Sequence, residues 1–558
     1  MLCGLLALCL VHGLNVTAGV QAPPDLDALR DIGFAQGILD GNWFGDPSYG
    51  GTRRYYPPLV PALSALAIRL AGIEDVPRFW VAVGPYVGLL PVAAFFVFAR
   101  AMAGAVVAAC GTAVFVLVNS ANADPWIGGG YTPWLLVPLV AQAGLLATAT
   151  LIHTRAGRTA WLDAPMIGLA IGTVFLMHPV PGALLGAIAA AAVAAAPRID
   201  GRGTIGQGIG GQGIGARGAA WLALAGACAA VPAAFYVLPL LLAYPAGIAH
   251  RAPGGWTAQA LAGDWRALAE MNAPWAIAAV ILWRSHGLQR GARAIVGIWI
   301  GICLFELGRH FACGAPGEGP AVCRIGRVPA HHFYLYLQIA GAFLIGAALP
   351  ILARRFLALG LPRRAGRFGA GRLETGRQGA GRQEAGRLET GRLRAGRFIL
   401  GIAAAAALAF GAAGLQTRDY DRRARDLALN HTDVFVMDLP VYRWILRSVP
   451  PDGVFATFVN GDRDGDFDSA AFTAMAAGRR LVAAHHLFSN PYVDWTSREA
   501  ARHAIAAWLT GDGPPPPATL FATGLWAIAK RDVPVRADRA DLVFESRTHK
   551  VYAIRPGR

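Results

Sequence analysis

Five aspartates crowd one polar stretch of the chain, residues 23–59, which reads PPDLDALRDIGFAQGILDGNWFGDPSYGGTRRYYPPL. They are Asp25, Asp27, Asp31, Asp40 and Asp46, and Arg30 stands among the first three. The stretch directly follows an apolar run, so Asp25 and Asp27 are expected at a membrane surface. A carboxylate there can act as general base toward an acceptor hydroxyl. It can equally hold a divalent cation that neutralises a phosphate leaving group. A helix is expected to follow, near 27–40, and either Asp25 or Asp27 would also serve simply to cap it. Arg30 on the same segment can pair with a phosphate or with Asp27, and Asp31 lies within reach of the same place.

Further candidates lie downstream. Asp124 sits in NSANADPWIGGGYTPW, where a second acid is a candidate metal or acceptor ligand, although Asp-Pro and triple Gly are also strong turn signals. His178-Pro179 separates two apolar runs; a histidine at such a break faces a cavity or packs and caps. Glu306 is an acid near the end of an apolar run, with Arg309 and His310 as ready partners. His331, His332, Phe333 and Tyr334 open a late apolar run after Arg324 and Arg327. Cations and aromatics there suit a lipid phosphate, or an ordinary interfacial belt. No HExxH or paired CxxC calls for zinc, so a divalent cation (Mg or Mn) is the one cofactor considered. The alternating Asp462, Asp464, Asp466 and Asp468 lack the Gly and Glu of an EF-hand. No GxSxG or Ser-His-Asp order marks a hydrolase.

These residues must be positioned by a membrane protein. Of 558 residues, 55% are hydrophobic and 15% charged, with mean hydropathy +0.43. Repeated apolar runs of about 20 residues belong in a bilayer. The net charge of +16 sits largely in Arg-rich segments between those runs, as in cytoplasmic loops, so nucleic acid is not an expected partner. The basic segments 153–160, 198–217, 284–293 and 354–397 all fall on one side only if the run at 59–73 does not span. That run is short, opens with Pro57-Pro58 and carries Arg69, and is read as an interfacial helix. The expected topology is about eleven spans with the N-terminus inside. The first outer loop then runs over 21–78, and a small extracytoplasmic α/β domain over 416–558 follows the transmembrane domain 1–415. In it, 438–449 and 496–509 read as helices, and 453–458, 518–530 and 541–554 as strands. Residues 198–217 and 354–397 are low-complexity cytoplasmic loops, and the GxGxxG at Gly208 has no preceding strand. Cys313 and Cys323 share one polar loop and would pair if it faces an oxidising compartment.

The first span, the acid-bearing outer helix, GILDGNW, DPSYGG and YYPPLVPALSALAIRL together resemble the first-loop signature of integral-membrane glycosyltransferases of the C type (GT-C). The similarity is greatest to a bacterial membrane-protein branch labelled as related to 6-pyruvoyl-tetrahydropterin synthase, a label without bearing on the soluble pterin enzyme. GRRLVAAHHLFSNPYVDWTSREAAR is similar to the outer domain of that group. The resemblance implies a mainly α, polytopic GT-C-like fold in the cell membrane. It implies a polyprenyl-phosphate-linked sugar as donor and a cell-envelope glycan, lipid or protein as acceptor. It further implies a catalytic carboxylate in the first outer loop, matched by Asp27 or Asp25. An interfacial Tyr-Pro-Pro-Leu is matched by Tyr56 to Leu59, and a basic-aromatic start of a late span loosely by His331, His332 and Phe333. Substrate contacts are then expected from Arg30, Asp31, Tyr56, Asp124, His178, His331 and His332. A transporter or flippase would instead require charges buried in mid-span and repeat symmetry between halves; a non-catalytic scaffold would leave the first-loop acids dispersed.

Overall fold

The computed structural model describes residues 1–121, 133–156, 160–195, 215–244, 273–285, 288–312, 330–360, 425–426, 429, 437–458, 469–484, 489–511 and 513–556. Asp124, the Gly208 motif, Cys313 and Cys323, the repeats within 361–424 and the Asp462–Asp468 run lie outside these residues. So does the side chain of His331.

Helices dominate. In chain order they are α1 (Leu2–Thr17), α2 (Leu26–Leu39), α3 (Leu59–Ala71), α4 (Val76–Val87), α5 (Leu89–Ala103), α6 (Ala105–Ala121), α7 (Leu136–Arg155), α8 (Asp163–Met177), α9 (Pro179–Ala195), α10 (Ala216–Ala243), α11 (Arg290–Ala312) and α12 (Ala330–Gly360). Among the described residues, five stretches are long and apolar enough to cross a membrane: Val76–Ala103, Leu136–Arg155, Ala216–Ala243, Arg290–Arg309 and His332–Arg355. The chain is a multi-pass membrane protein. The first stretch joins α4 and α5, and the helix breaks at Gly88 just after Pro85, which cannot donate to the helical ladder.

Small residues let these helices approach closely. Gly168 and Gly172 of α8 lie one turn apart and face α10, where an added Cβ would stand 2.2 Å from the Ala225 carbonyl and 2.3 Å from Pro232. This is the small-xxx-small packing expected where both helix faces are apolar. Aromatic side chains fill the wider gaps. Phe95 stacks on Phe115 at 4.4 Å, and Phe98 meets Phe343 at 5.5 Å.

The loop between α1 and α4 forms two helices of different character. Asp25 starts α2: its Oδ1 accepts from the amides of Asp27 (2.9 Å) and Ala28 (3.3 Å), which satisfies two orphan donors of the first turn. The helix stops at Asp40, and Gly41 takes the left-handed turn at φ 88°. Nearly all of α2 is buried. The other helix, α3, buries only Val60, Pro61, Ser64, Ala65 and Ile68, and leaves Leu63, Leu66 and Leu70 49%, 53% and 79% exposed. Gly72, at φ 64°, ends it.

Past residue 437 come α13 (Leu439–Ser448), β1 (Val454–Thr457), α14 (Ser469–Ala476), β2 (Arg480–Leu481), α15 (Trp495–Thr510), β3 (Leu525–Lys530), β4 (Ala540–Glu545) and β5 (His549–Ile554). The strands make one sheet in the order β2-β1-β3-β5-β4, parallel from β2 to β3 and antiparallel beyond. Residues 470–476 of α14 are all buried, because the helix lies between this sheet and α2. One hydrophobic core therefore includes Leu29 and Ile32 of α2, Trp80 of α4, Trp134 before α7, Tyr442 of α13, Met475 of α14 and Ile528 of β3. One face of the sheet shares this core with the first loop, and the other packs a second core against α15, including Phe458, Ile505, Trp508, Leu525 and Tyr552.

Candidate functional site

The first turns of α2 carry the charged centre. Arg30 lies between two acids: its Nη1 donates to Asp27 Oδ1 at 2.6 Å, while Nε and Nη2 both donate to Asp31 Oδ1 at 3.0 and 2.8 Å. Helical spacing produces the first pair, since residues three apart share a face. Asp27 keeps a fifth of its side chain exposed (21%), whereas Asp31 is 1% exposed. Asp31 Oδ2 is buried with no hydrogen-bond partner among the described residues. Burial pushes the Asp31 carboxyl up to about 7, against the pull of Arg30. Asp25, the other acid expected in a catalytic role, is 5% exposed and points its carboxylate into the helix cap.

Tyr56 brings the second half of the loop to this centre. The Arg30 guanidinium lies 4.0 Å over its ring. Phe34, one turn along α2 from Arg30, stacks on Tyr56 at 5.8 Å and 11°. Arg54 then lies 4.8 Å over Phe34. The result is a column of cation, ring, ring and cation, in the order Arg30, Tyr56, Phe34, Arg54.

Arg54 was not among the expected residues. Only 5% exposed, it donates through Nη2 to the Phe34 carbonyl at 3.2 Å; Nε and Nη1 are buried without a partner among the described residues. Burial lowers its pKa to about 10 despite the nearby Asp46. The signal was present in Arg53-Arg54 directly before YYPP, where a basic pair interrupts an aromatic segment. Its importance depends on which nitrogens find partners, and spacing cannot reveal that.

The histidines close the arrangement. His178, at the break between α8 and α9, meets the Tyr56 ring at 6.5 Å and the His332 ring of α12 at 4.8 Å. Four segments distant in sequence thus meet: α2, the YYPP turn, the α8–α9 break and the start of α12. Asp27, Arg30, Asp31, Tyr56, His178 and His332 belong to this meeting point; Asp25 stands beside it as the cap. Glu306 is accounted for by Arg309, which donates to it at 2.9 and 2.5 Å. Among the described residues, no three His, Cys, Asp or Glu side chains come together to hold a metal ion. Asp27 and Asp31 each direct an oxygen to Arg30. Asp124, the acid expected as a possible metal ligand, lies outside the described residues.

The SNPYVDW segment closes over the first loop. Asp46 Oδ2 accepts from Asn490 Nδ2 at 2.9 Å, and the same amide donates to the Arg53 carbonyl at 3.0 Å. The Tyr49 hydroxyl bonds Ser489 Oγ at 2.8 Å and accepts from the Ala484 amide at 3.0 Å. Tyr244, at the end of α10, stacks on Tyr492 at 4.9 Å. Burial pushes the Asp46 carboxyl up to about 6, and the Ser48 amide and Asn490 hold it back.

No protein-family model matches the sequence, and no curated protein matches it. Among solved structures the chain is similar to ArnT from Cupriavidus metallidurans in the apo state, with a TM-score of 0.54 at 15% identity over 98% of this chain and 97% of that one. The same protein bound to undecaprenyl phosphate gives 0.50 at 14% identity, with the same coverage of 98% and 97%. The apo oligosaccharyltransferase from Archaeoglobus fulgidus gives 0.47 at 10% identity, over 95% of this chain and 69% of that one. At these identities the likeness is one of fold. The mainly helical architecture expected from the sequence is shared, as a fold, with ArnT.

Proposed function

We propose that this GT-C-type membrane protein is a glycosyltransferase that moves a sugar from a polyprenyl-phosphate donor to an acceptor on the outer face. The observation that carries the reading is the convergence of Asp27, Arg30, Tyr56, His178 and His332 from four separate segments. A neighbour of the same fold binds undecaprenyl phosphate, which supports a polyprenyl phosphate as leaving group. The acceptor belongs to the cell envelope, as a glycan, lipid or protein.

In this reading Asp27 is the base. Its partly exposed carboxylate takes the proton of the acceptor hydroxyl as that oxygen bonds the anomeric carbon. The bond from that carbon to the phosphate oxygen breaks in the same displacement, and the sugar inverts. Arg30 keeps Asp27 placed. Arg54, with His178 and His332, offsets the charge growing on the departing phosphate; the two unpartnered Arg54 nitrogens are suited to it. No step is routed through a metal ion. The leucines exposed on α3 lie in the interface and guide the lipid chain.

The finer topology belongs to the same proposal. It comprises about eleven spans, an inner N-terminus, the division at 415/416 with an outer α/β unit, and membership of the branch sharing the SNPYVDW segment. The test is donor consumption by membranes bearing the protein, with a panel of polyprenyl-phosphate sugars. Asp27→Asn should reduce turnover by about two to four orders of magnitude, the usual worth of a positioned base. Asp25→Asn should retain most of it, because Asn caps a helix as well as Asp. Full turnover in Asp27→Asn at wild-type membrane levels would falsify the mechanism.

A further inference from the structure

On the sheet face turned to the first loop, apart from the Arg30 centre, Asp438, Ser469 and His549 come together from the N-cap of α13, the first residue of α14 and the first residue of β5. Ser469 Oγ lies 3.1 Å from His549 Nε2, and His549 Nδ1 lies 3.0 Å from Asp438 Oδ2. We infer that these three form a second active centre, a hydroxyl–imidazole–carboxylate relay that makes Ser469 a nucleophile toward small carboxylic esters.

The hydrogen bonds assign the protons. Asp438 Oδ2 also accepts from Ser546 Oγ and Thr548 Oγ1, both at 2.6 Å, and Oδ1 accepts from the Val441 amide at 3.1 Å. Burial alone would raise this carboxyl, but the bonds from His549, Ser546 and Thr548 outweigh it and hold the group at about 2. An ionised carboxylate can only accept. Thr548 Oγ1, 2.9 Å from Nδ1, already donates to Asp438. Nδ1 therefore carries the imidazole proton and donates to Asp438, and the Nε2 lone pair receives the Ser469 hydroxyl. This tautomer is the one a general base requires.

The surroundings fix the geometry. Thr473 Oγ1 donates to the Ser469 carbonyl at 2.8 Å and accepts from the Asp438 amide at 3.0 Å, so nucleophile helix and acid move as one unit. Ser469 begins α14, where the positive helix end favours a developing oxyanion. Imidazole and acid are shielded, at 6% and 5% side-chain exposure, while Ser469 is half-buried. In the reaction Ser469 Oγ bonds the ester carbonyl carbon and its proton passes to His549 Nε2. The bond to the alkoxy oxygen breaks, and that oxygen leaves as an alcohol with the Nε2 proton. Water then attacks the acyl-serine, gives a proton to Nε2, and releases the carboxylic acid as Ser469 is reprotonated. Asp438, Ser469 and His549 are 31 and 80 residues apart in succession, which is why no local motif marks them.

A fluorophosphonate probe tests this in the full chain in membranes: Ser469 Oγ would displace fluoride and keep the phosphonyl group. We expect an adduct mapped to Ser469 by peptide mass spectrometry and hydrolysis of p-nitrophenyl acetate. Both should be lost in Ser469→Ala and reduced at least tenfold in His549→Asn. Ser469→Ala removes one oxygen and leaves packing intact, so its result does not depend on refolding. Absence of an adduct on wild-type protein, or an adduct that persists in Ser469→Ala, overturns the inference and leaves the trio a polar staple between α13, α14 and β5. The outcome is independent of sugar transfer.

Discussion

Arg30 is engaged on three sides of its guanidinium, by Asp27, by Asp31 and by the face of Tyr56. The proton on Asp31 therefore sets the charge of the trio. With Asp31 protonated, Asp27 and Arg30 balance; with it ionised, the trio carries a net negative charge that opposes a phosphate. The carboxyl rises from 3.8 to about 7 on folding. For an acid raised in this way the folded state holds a proton that the unfolded chain releases. The stabilisation is complete below about pH 4 and is lost as pH rises through about 7. Wild-type protein should therefore lose more melting temperature between about pH 5 and 8 than Asp31→Asn does. Its donor KM should also climb above about pH 7 while that of the variant stays flat. Parallel pH profiles for the two proteins would refute the assignment.

At the scale of elements, the site depends on how tightly α2 is held. Gly33 lies against α14, where an added Cβ would stand 2.2 Å from the Met475 carbonyl. Backbone cannot yield as a side-chain tip can. Gly33→Ala should therefore cost about 1–3 kcal/mol, the range for overpacking. It should also lower activity, since α2 carries Asp27 and Arg30; a melting curve together with donor turnover checks both. Helix α3 illustrates a different rule. Its buried stripe recurs at Val60, Ser64, Ala65 and Ile68, yet the opposite face carries Leu63, Leu66 and Leu70 in place of charge. Such a helix is at home against lipid.

At the scale of the whole molecule, charged pairs fasten the first loop to the sheet. Arg479, itself 2% exposed, donates to Asp40 at 2.7 Å and to the carbonyls of Val449 and Ala477. Arg443 of α13 reaches Asp75 at 2.9 Å, at a more exposed position. Removing one partner of a buried pair costs about 3–5 kcal/mol, whereas an exposed pair is worth about 0–1 kcal/mol. Arg479→Met should thus free the region after 437 to limited proteolysis and depress turnover, and Arg443→Met should do neither. Equal protease sensitivity in the two variants would contradict a shared core.

Several features were legible without coordinates because they depend on local spacing and bulk composition. Apolar runs announced the membrane helices; Asp25 and Asp27, either one a possible cap, announced the start of a helix; the proline pair before Leu59 announced the start of a short one. The acids, Arg30, Tyr56 and the histidines were recognisable as candidates by type and place. Distance in sequence hid the rest. Phe34 between Tyr56 and Arg54, the unpartnered Arg54 nitrogens, and Asn490 closing on Asp46 depend on contacts across tens to hundreds of residues, which no period encodes. Asp25 and Asp27 are two residues apart and chemically alike. Only the folded chain separates them, because the helix amides claim one carboxylate while Arg30 holds the other at a partly open surface.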